Sequence, residues 1–102
     1  MTRITITESE RVLMEALWTR GPLSPPELMA AVKAVEAWAD PTIKTLLHRL
    51  MQRGAVRSER TDALRYVPLL DREAYVREQV DAFVERLFDG DRQALIDYLR
   101  AG

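Results

Sequence analysis

The stretch Asp40-Pro41-Thr42-Ile43-Lys44-Thr45-Leu46-Leu47-His48-Arg49-Leu50 decides how the chain is read. Ile43, Leu46, Leu47 and Leu50 fall at i, i+3, i+4 and i+7, which is one face of a helix. Between them Thr42, Lys44, Thr45, His48, Arg49 and Gln52 carry hydroxyls, cations and an amide, so the opposite face is rich in hydrogen-bond donors. Asp followed by Pro marks a helix start, because Pro in the first helical position lacks only an N–H that has no partner there anyway. Gly54 is a natural C-terminal stop. The spacing therefore predicts a helix from about Pro41 to Arg53, capped by Asp40, with its leucines turned inward.

Two further helix starts lie upstream. Thr7-Glu8-Ser9-Glu10 and Ser24-Pro25-Pro26-Glu27 are both capping boxes, in which the hydroxyl accepts from a free N–H and the glutamate reaches back. The first opens a helix to about Thr19 with Leu13, Met14, Leu17 and Trp18 on its buried side; Gly21-Pro22 stops it. The second opens a helix holding Leu28, Met29, Val32 and Val35 and ending near Glu36. Downstream, Val56 to Arg60 and Leu64 to Leu69 read as two strands around the tip Thr61-Asp62-Ala63, and Pro68 marks an edge strand or a strand end. Asp71 caps a fourth helix to about Phe88, with Val76, Val80, Phe83, Val84, Leu87 and Phe88 as an apolar stripe. Asp89-Gly90-Asp91 breaks it and caps a last helix with Leu95, Ile96, Tyr98 and Leu99.

Three short helices followed by a hairpin predict a mainly α (α+β) winged helix-turn-helix, whose third helix enters the major groove of DNA. Residues 1–70 form the expected DNA-binding domain. Residues 71–102 form the expected dimerisation region. The first domain is too small to cover the apolar stripes of both terminal helices, so Tyr75, Val76, Val80, Phe83, Val84, Leu87, Leu95 and Leu99 are expected to pack against a second copy.

Composition narrows the function. The 102 residues are 47% hydrophobic and 30% charged, with no cysteine and one histidine. Disorder, disulfides, thiol chemistry and thiolate metal sites drop out. No nucleophile–base pair and no glycine-rich phosphate loop is present, so neither an enzyme nor a cofactor is expected, and the lone His48 makes a poor metal ligand. No apolar run reaches the roughly 20 residues that span a bilayer, and the first nine residues lack the apolar core of a signal peptide; a cytoplasmic protein is expected. Net charge is −1, but residues 40–70 sum to +3 and residues 71–102 to −3. A basic middle beside an acidic tail suits one segment that meets phosphate and another that does not.

At this point the residues resemble a known family. Asp40 to Leu50 resembles the recognition-helix signature of the penicillinase repressors, the BlaI/MecI/CopY family: Asp, any residue, Thr, an aliphatic, a basic residue, Thr, Leu, two variable positions, Arg, Leu. Thr7-Glu8 to Leu17-Trp18, the Ser24 and Glu27 pair, Gly54 with Tyr66-Val67-Pro68, and Leu87-Phe88-Asp89-Gly90-Asp91 are similar to its first helix, second-helix start, wing and helical junction. The resemblance implies a homodimeric repressor on an inverted-repeat operator, dimerised through its C-terminal helices. Three departures from the family stand beside it. The copper-responsive branch carries C-terminal cysteines that this chain lacks. The beta-lactam branch is cleaved at an Asn-Phe bond, and the nearest equivalent here, Asp97-Tyr98, departs from it; the resemblance implies a regulatory protease as a candidate partner but does not carry over that cleavage sequence. The chain also stops at Gly102, short of the best-known members, so part of their dimerisation segment is expected to be missing.

Thr42 and Thr45 lie three apart on one helical face, where hydroxyls can bond base edges and methyls can meet a thymine methyl. Lys44 and Arg49 can reach phosphate or a guanine edge, and His48 flanks them. Arg57, Arg60 and Arg65 place cations on the hairpin. Ser24 can add a phosphate contact to its capping role. A competing reading makes the winged helix a protein-interaction module with its third helix buried in a partner; the basic hairpin and polar third helix argue against it.

Overall fold

The computed structural model describes residues 4–102. They form two compact units, one ending at Leu70 and the other running from Asp71 to Gly102.

The first unit holds α1 (Glu8–Arg20), α2 (Pro25–Lys33), α3 (Asp40–Gln52), β1 (Val56–Arg60) and β2 (Leu64–Pro68). Both predicted capping boxes form. The Thr7 hydroxyl accepts from the Glu10 N–H at 3.1 Å while Glu10 accepts from the Thr7 N–H at 2.8 Å. The Ser24 and Glu27 pair repeats this at 3.3 and 2.8 Å. Leu13, Met14, Leu17, Val32 and Leu50 lose all contact with solvent, and Leu28, Ile43 and Val56 nearly all. Each such side chain contributes roughly 1.5–3 kcal/mol by leaving water. The core thus lies where the inner faces of the three helices meet the root of the hairpin.

α3 ends in a Schellman turn. Gly54 adopts φ +78°, the Gly54 N–H donates to the Met51 carbonyl at 3.1 Å and the Ala55 N–H donates to the Leu50 carbonyl at 2.9 Å, so the last carbonyls of the helix are satisfied. The reversal sends the chain straight into β1, which pairs antiparallel with β2 in the register Arg57↔Val67 and Glu59↔Arg65. Leu23 adds a bridge to Tyr66, with Tyr66 donating to the Leu23 carbonyl at 2.8 Å and Leu23 donating back at 3.2 Å.

Three local expectations need correction. Asp40 is not the cap of α3: Ala39 holds the extended N-cap conformation without a side-chain bond, while the Asp40 carboxylate, already inside the first turn, pairs with Lys33. α2 stops at Lys33 rather than near Glu36, and Val35 is 69% exposed instead of packed, because the Val35 and Glu36 N–H groups both turn back to the Val32 carbonyl. Trp18 is only half-buried, and its indole N–H donates to the Leu70 carbonyl at 2.7 Å.

The second unit comprises α4 (Arg72–Phe88) and α5 (Arg92–Ala101). Asp71 caps α4 and Asp91 caps α5, each accepting from the N–H three residues on. Between them Asp89 and Gly90 both take positive φ, 50° and 80°, which folds α5 back on α4. Val84 is buried in the resulting groove, beside Val80, Leu95 and Ile96. No described helix is long and apolar enough to cross a membrane.

Candidate nucleic-acid interface

α3 carries the candidate surface. Its inner residues Ile43, Leu46, Leu47 and Leu50 are all buried, and this burial fixes the rotation of the helix. Thr42, Lys44, Thr45, His48, Arg49 and Gln52 are consequently all exposed. The side chains of His48 and Arg49 make no hydrogen bond or ion pair with another described residue. Thr45 differs: its hydroxyl donates to the Pro41 carbonyl one turn back at 2.9 Å. The proton is spoken for, and what Thr45 presents outward is lone pairs and a methyl group.

The start of α3 has its own electrostatics. The Lys33 ammonium, hydrogen-bonded to Asp40, holds that carboxyl below its ordinary range, with Lys44 adding to the effect. The pair joins the end of α2 to the beginning of α3 across the turn between them.

The hairpin lies next in sequence and contacts α3 through β1. Arg57, Arg60 and Arg65 are exposed. Strand alternation divides them: Arg57 and Arg65 share a face with Glu59, and Arg60 takes the other. Arg57 pairs loosely with Glu59 at 3.7 Å, with both side chains almost half exposed, an arrangement that contributes little in water. Arg65 lies close enough to the start of α2 for its charge to act on Glu27. The Ser24 N–H holds the Glu27 carboxyl below its ordinary range, helped by the Ser24 hydroxyl and by the charges of Arg65 and Arg20. Ser24 and Arg65 thus come together at the N-terminus of α2, as two of the residues singled out from sequence.

One residue of this region was not legible in the sequence as a partner. Arg53, at the last turn of α3, grips the Glu10 carboxylate with both terminal nitrogens at 2.6 and 2.8 Å and also donates to the Thr5 carbonyl at 2.8 Å. Glu10 has no solvent exposure. Burial alone pushes its carboxyl up, but the Arg53 hydrogen bonds, the Thr7 N–H and the arginine charge together hold it below the ordinary glutamate range. The spacing of 43 residues gave no local signal, and in the sequence Glu10 read only as half of a capping box.

On the second unit, Val76, Val80, Phe83, Leu87 and Leu99 are exposed by 37, 43, 37, 58 and 66%, and Leu95 is half-buried. Tyr75 and Val84 are exceptions: at 6 and 2% exposure they are already covered within the single chain and offer no free surface to a partner. Among the described residues no group of three or more acidic or histidine side chains could hold a metal ion.

Three helices, a two-stranded wing and a polar outer face on the third helix define a winged helix-turn-helix of the DNA-binding kind. The chain belongs to the penicillinase repressor family, whose model matches residues 6–100. It is 23% identical over 92 residues to the penicillinase repressor of Bacillus licheniformis, an alignment covering 89% of this chain and 72% of that protein. It is 34% identical over 55 residues to an uncharacterized 16.5 kDa protein of Latilactobacillus sakei, covering 54% of this chain and 38% of the other. Among solved structures it resembles the DNA-binding domain of the repressor BlaI, with a TM-score of 0.64, 26% identity, and coverage of 74% of this chain and 94% of that one. It shares its fold with the B. licheniformis BlaI monomer in complex with the blaP half-operator, with a TM-score of 0.65, 24% identity, and coverage of 72 and 92%. The B. licheniformis protein and the two BlaI structures are named as repressors or their DNA-binding domain.

Proposed function

We propose that this chain is a sequence-specific transcriptional repressor that binds duplex operator DNA as a homodimer on an inverted repeat. The observation that carries the reading is the outer face of α3, where Thr42, Lys44, Thr45, His48 and Arg49 all stand exposed on a helix locked by four buried aliphatic residues. Its N-terminal residues would reach base edges in the major groove, as in other helix-turn-helix proteins. Thr42, Lys44 and Thr45 read bases; Arg49 and His48 hold the flanking backbone. Ser24 and Arg65, at the start of α2, and Arg60 on the wing supply phosphate contacts.

Dimerisation rests on the exposed aliphatic and aromatic side chains of α4 and α5, Val76, Val80, Phe83, Leu87 and Leu99. A two-fold dimer would set two α3 helices about 34–36 Å apart, one turn of the duplex or a multiple of it. A regulatory protease completes the reading: the Asp97-Tyr98 bond lies in α5, with Tyr98 68% exposed. The relatives named as repressors and the half-operator complex of one of them support this function.

A gel-shift titration with the DNA upstream of the chain's own gene tests it. Retardation at low salt, lost steeply as salt rises and sensitive to disruption of one half of a two-fold symmetric site, is the expected result. Absence of retardation at low salt overturns the proposal.

A further inference from the structure

Arg53 occupies an unusual position. It is the C-cap residue of the helix that faces outward at its other end, and its guanidinium ties three separate segments together. Both terminal nitrogens bind the Glu10 carboxylate, at 2.6 and 2.8 Å. One of them also reaches the Thr5 carbonyl at 2.8 Å. Glu10 in turn accepts from the Thr7 N–H at 2.8 Å, which also holds its carboxylate in place. The glutamate is wholly buried, whereas the arginine side chain keeps 37% exposure. Every oxygen of the carboxylate is used, and the planar fork of the guanidinium matches it in two-point geometry.

We infer that the Arg53–Glu10 clamp is a positioning device for DNA reading: it fixes the far end of α3 against the start of α1 and so sets the angle at which Thr42, Lys44 and Thr45 meet the bases. The inference rests on the repressor reading above. The buried aliphatic side chains set the rotation of α3 about its own axis, but their contacts are non-directional. A two-point ion pair adds a directional constraint on tilt. α3 has 13 residues and spans about 20 Å, so a small tilt at Arg53 becomes a displacement of an ångström or more at Thr42, enough to break hydrogen bonds to base edges. Phosphate contacts from flexible lysine and arginine side chains tolerate such a shift.

Charge and geometry make opposite predictions for Glu10→Gln. The substitution adds one unit of positive charge to the protein, so an electrostatic role alone strengthens binding to every duplex. Loss of the clamp lowers discrimination instead. The test uses the full chain, the duplex that the unaltered protein retains from a random library, and a scrambled duplex of the same length. Glu10→Gln and the charge-conserving Arg53→Lys are compared at a temperature where circular dichroism shows native helix content. The ratio of affinities for selected over scrambled duplex falls roughly tenfold in both variants, the loss that one wrong base pair brings, while affinity for the scrambled duplex holds or rises and the salt slope is unchanged. Discrimination equal to the unaltered protein in both folded variants overturns the inference and leaves the repressor reading intact. An unaltered protein that selects no sequence sinks the repressor reading itself.

Discussion

The hydroxyl of Thr45 donates to the carbonyl of Pro41 at 2.9 Å, so the residue at the centre of the candidate reading face has no proton left to give. Thr45 is left with an acceptor and a methyl, which suits an adenine or cytosine amino group or a thymine methyl in the major groove. Thr45→Val, which keeps the shape and removes the acceptor, separates the two uses. Thr45→Ala removes both and weakens discrimination between related sites by about 1 kcal/mol, read as the change in the affinity ratio for two duplexes that differ at one base pair.

Arg49 behaves differently. Its side chain is exposed and unengaged by other described residues, one turn beyond Thr45. Arg49→Ala lowers affinity for all duplexes by a similar factor and reduces the slope of log K against log salt by about 1. A gel-shift series at several salt concentrations measures both quantities; a loss confined to one sequence would contradict the phosphate role.

Glu10 gives the fold a pH dependence with a definite sign. Its carboxyl lies below the ordinary glutamate range in the folded chain, so the unfolded chain takes up its proton first as acid is added. The stabilisation is fully present above the unfolded value, about 4.3, and is lost as pH falls through the folded one. Urea unfolding between pH 7 and pH 3 shows a decline that is shallower in Glu10→Gln; what remains in the variant comes from other lowered carboxyls such as Glu27 and Asp40. At pH 7 the same substitution costs roughly 2 kcal/mol, the range for a hydrogen-bonded charged group.

The α4–α5 unit yields a prediction on assembly. Val80 is 43% exposed, between Val76 and Phe83, each exposed by 37%. Val80→Glu places a charge in the proposed subunit contact and, by sedimentation equilibrium, shifts the chain toward monomer. DNA binding then weakens at the symmetric site far more than at a single half-site. A Val80→Glu protein that sediments as a dimer locates the contact elsewhere.

Much of this architecture was legible because its determinants are local. Thr7 with Glu10 and Ser24 with Glu27 are three residues apart, so the sequence displays both partners at once. The apolar spacing of Ile43, Leu46, Leu47 and Leu50 likewise identified the outer face of α3 without any tertiary information. What escaped was non-local or competed for. Asp40 has the identity of a cap, but Lys33 draws its carboxylate away and Ala39 takes the cap conformation unaided. Val35 continues the apolar pattern of α2, yet the helix ends two residues earlier. Tyr75 and Val84 read as part of a stripe for a second subunit, and the chain covers them itself. Glu10 was visible only as half of a capping box; its second partner, Arg53, lies 43 residues away.

The bridge between Leu23 and Tyr66 has a mechanical consequence. Through it the approach to α2 and the wing move as one plate, because two backbone bonds of 2.8 and 3.2 Å hinge them together. A plate of this kind adapts little to a groove of the wrong width. In the proposed repressor the strain of an imperfect fit would therefore pass to the nucleic acid, and the stiffness of base steps the protein never touches would enter the choice of site.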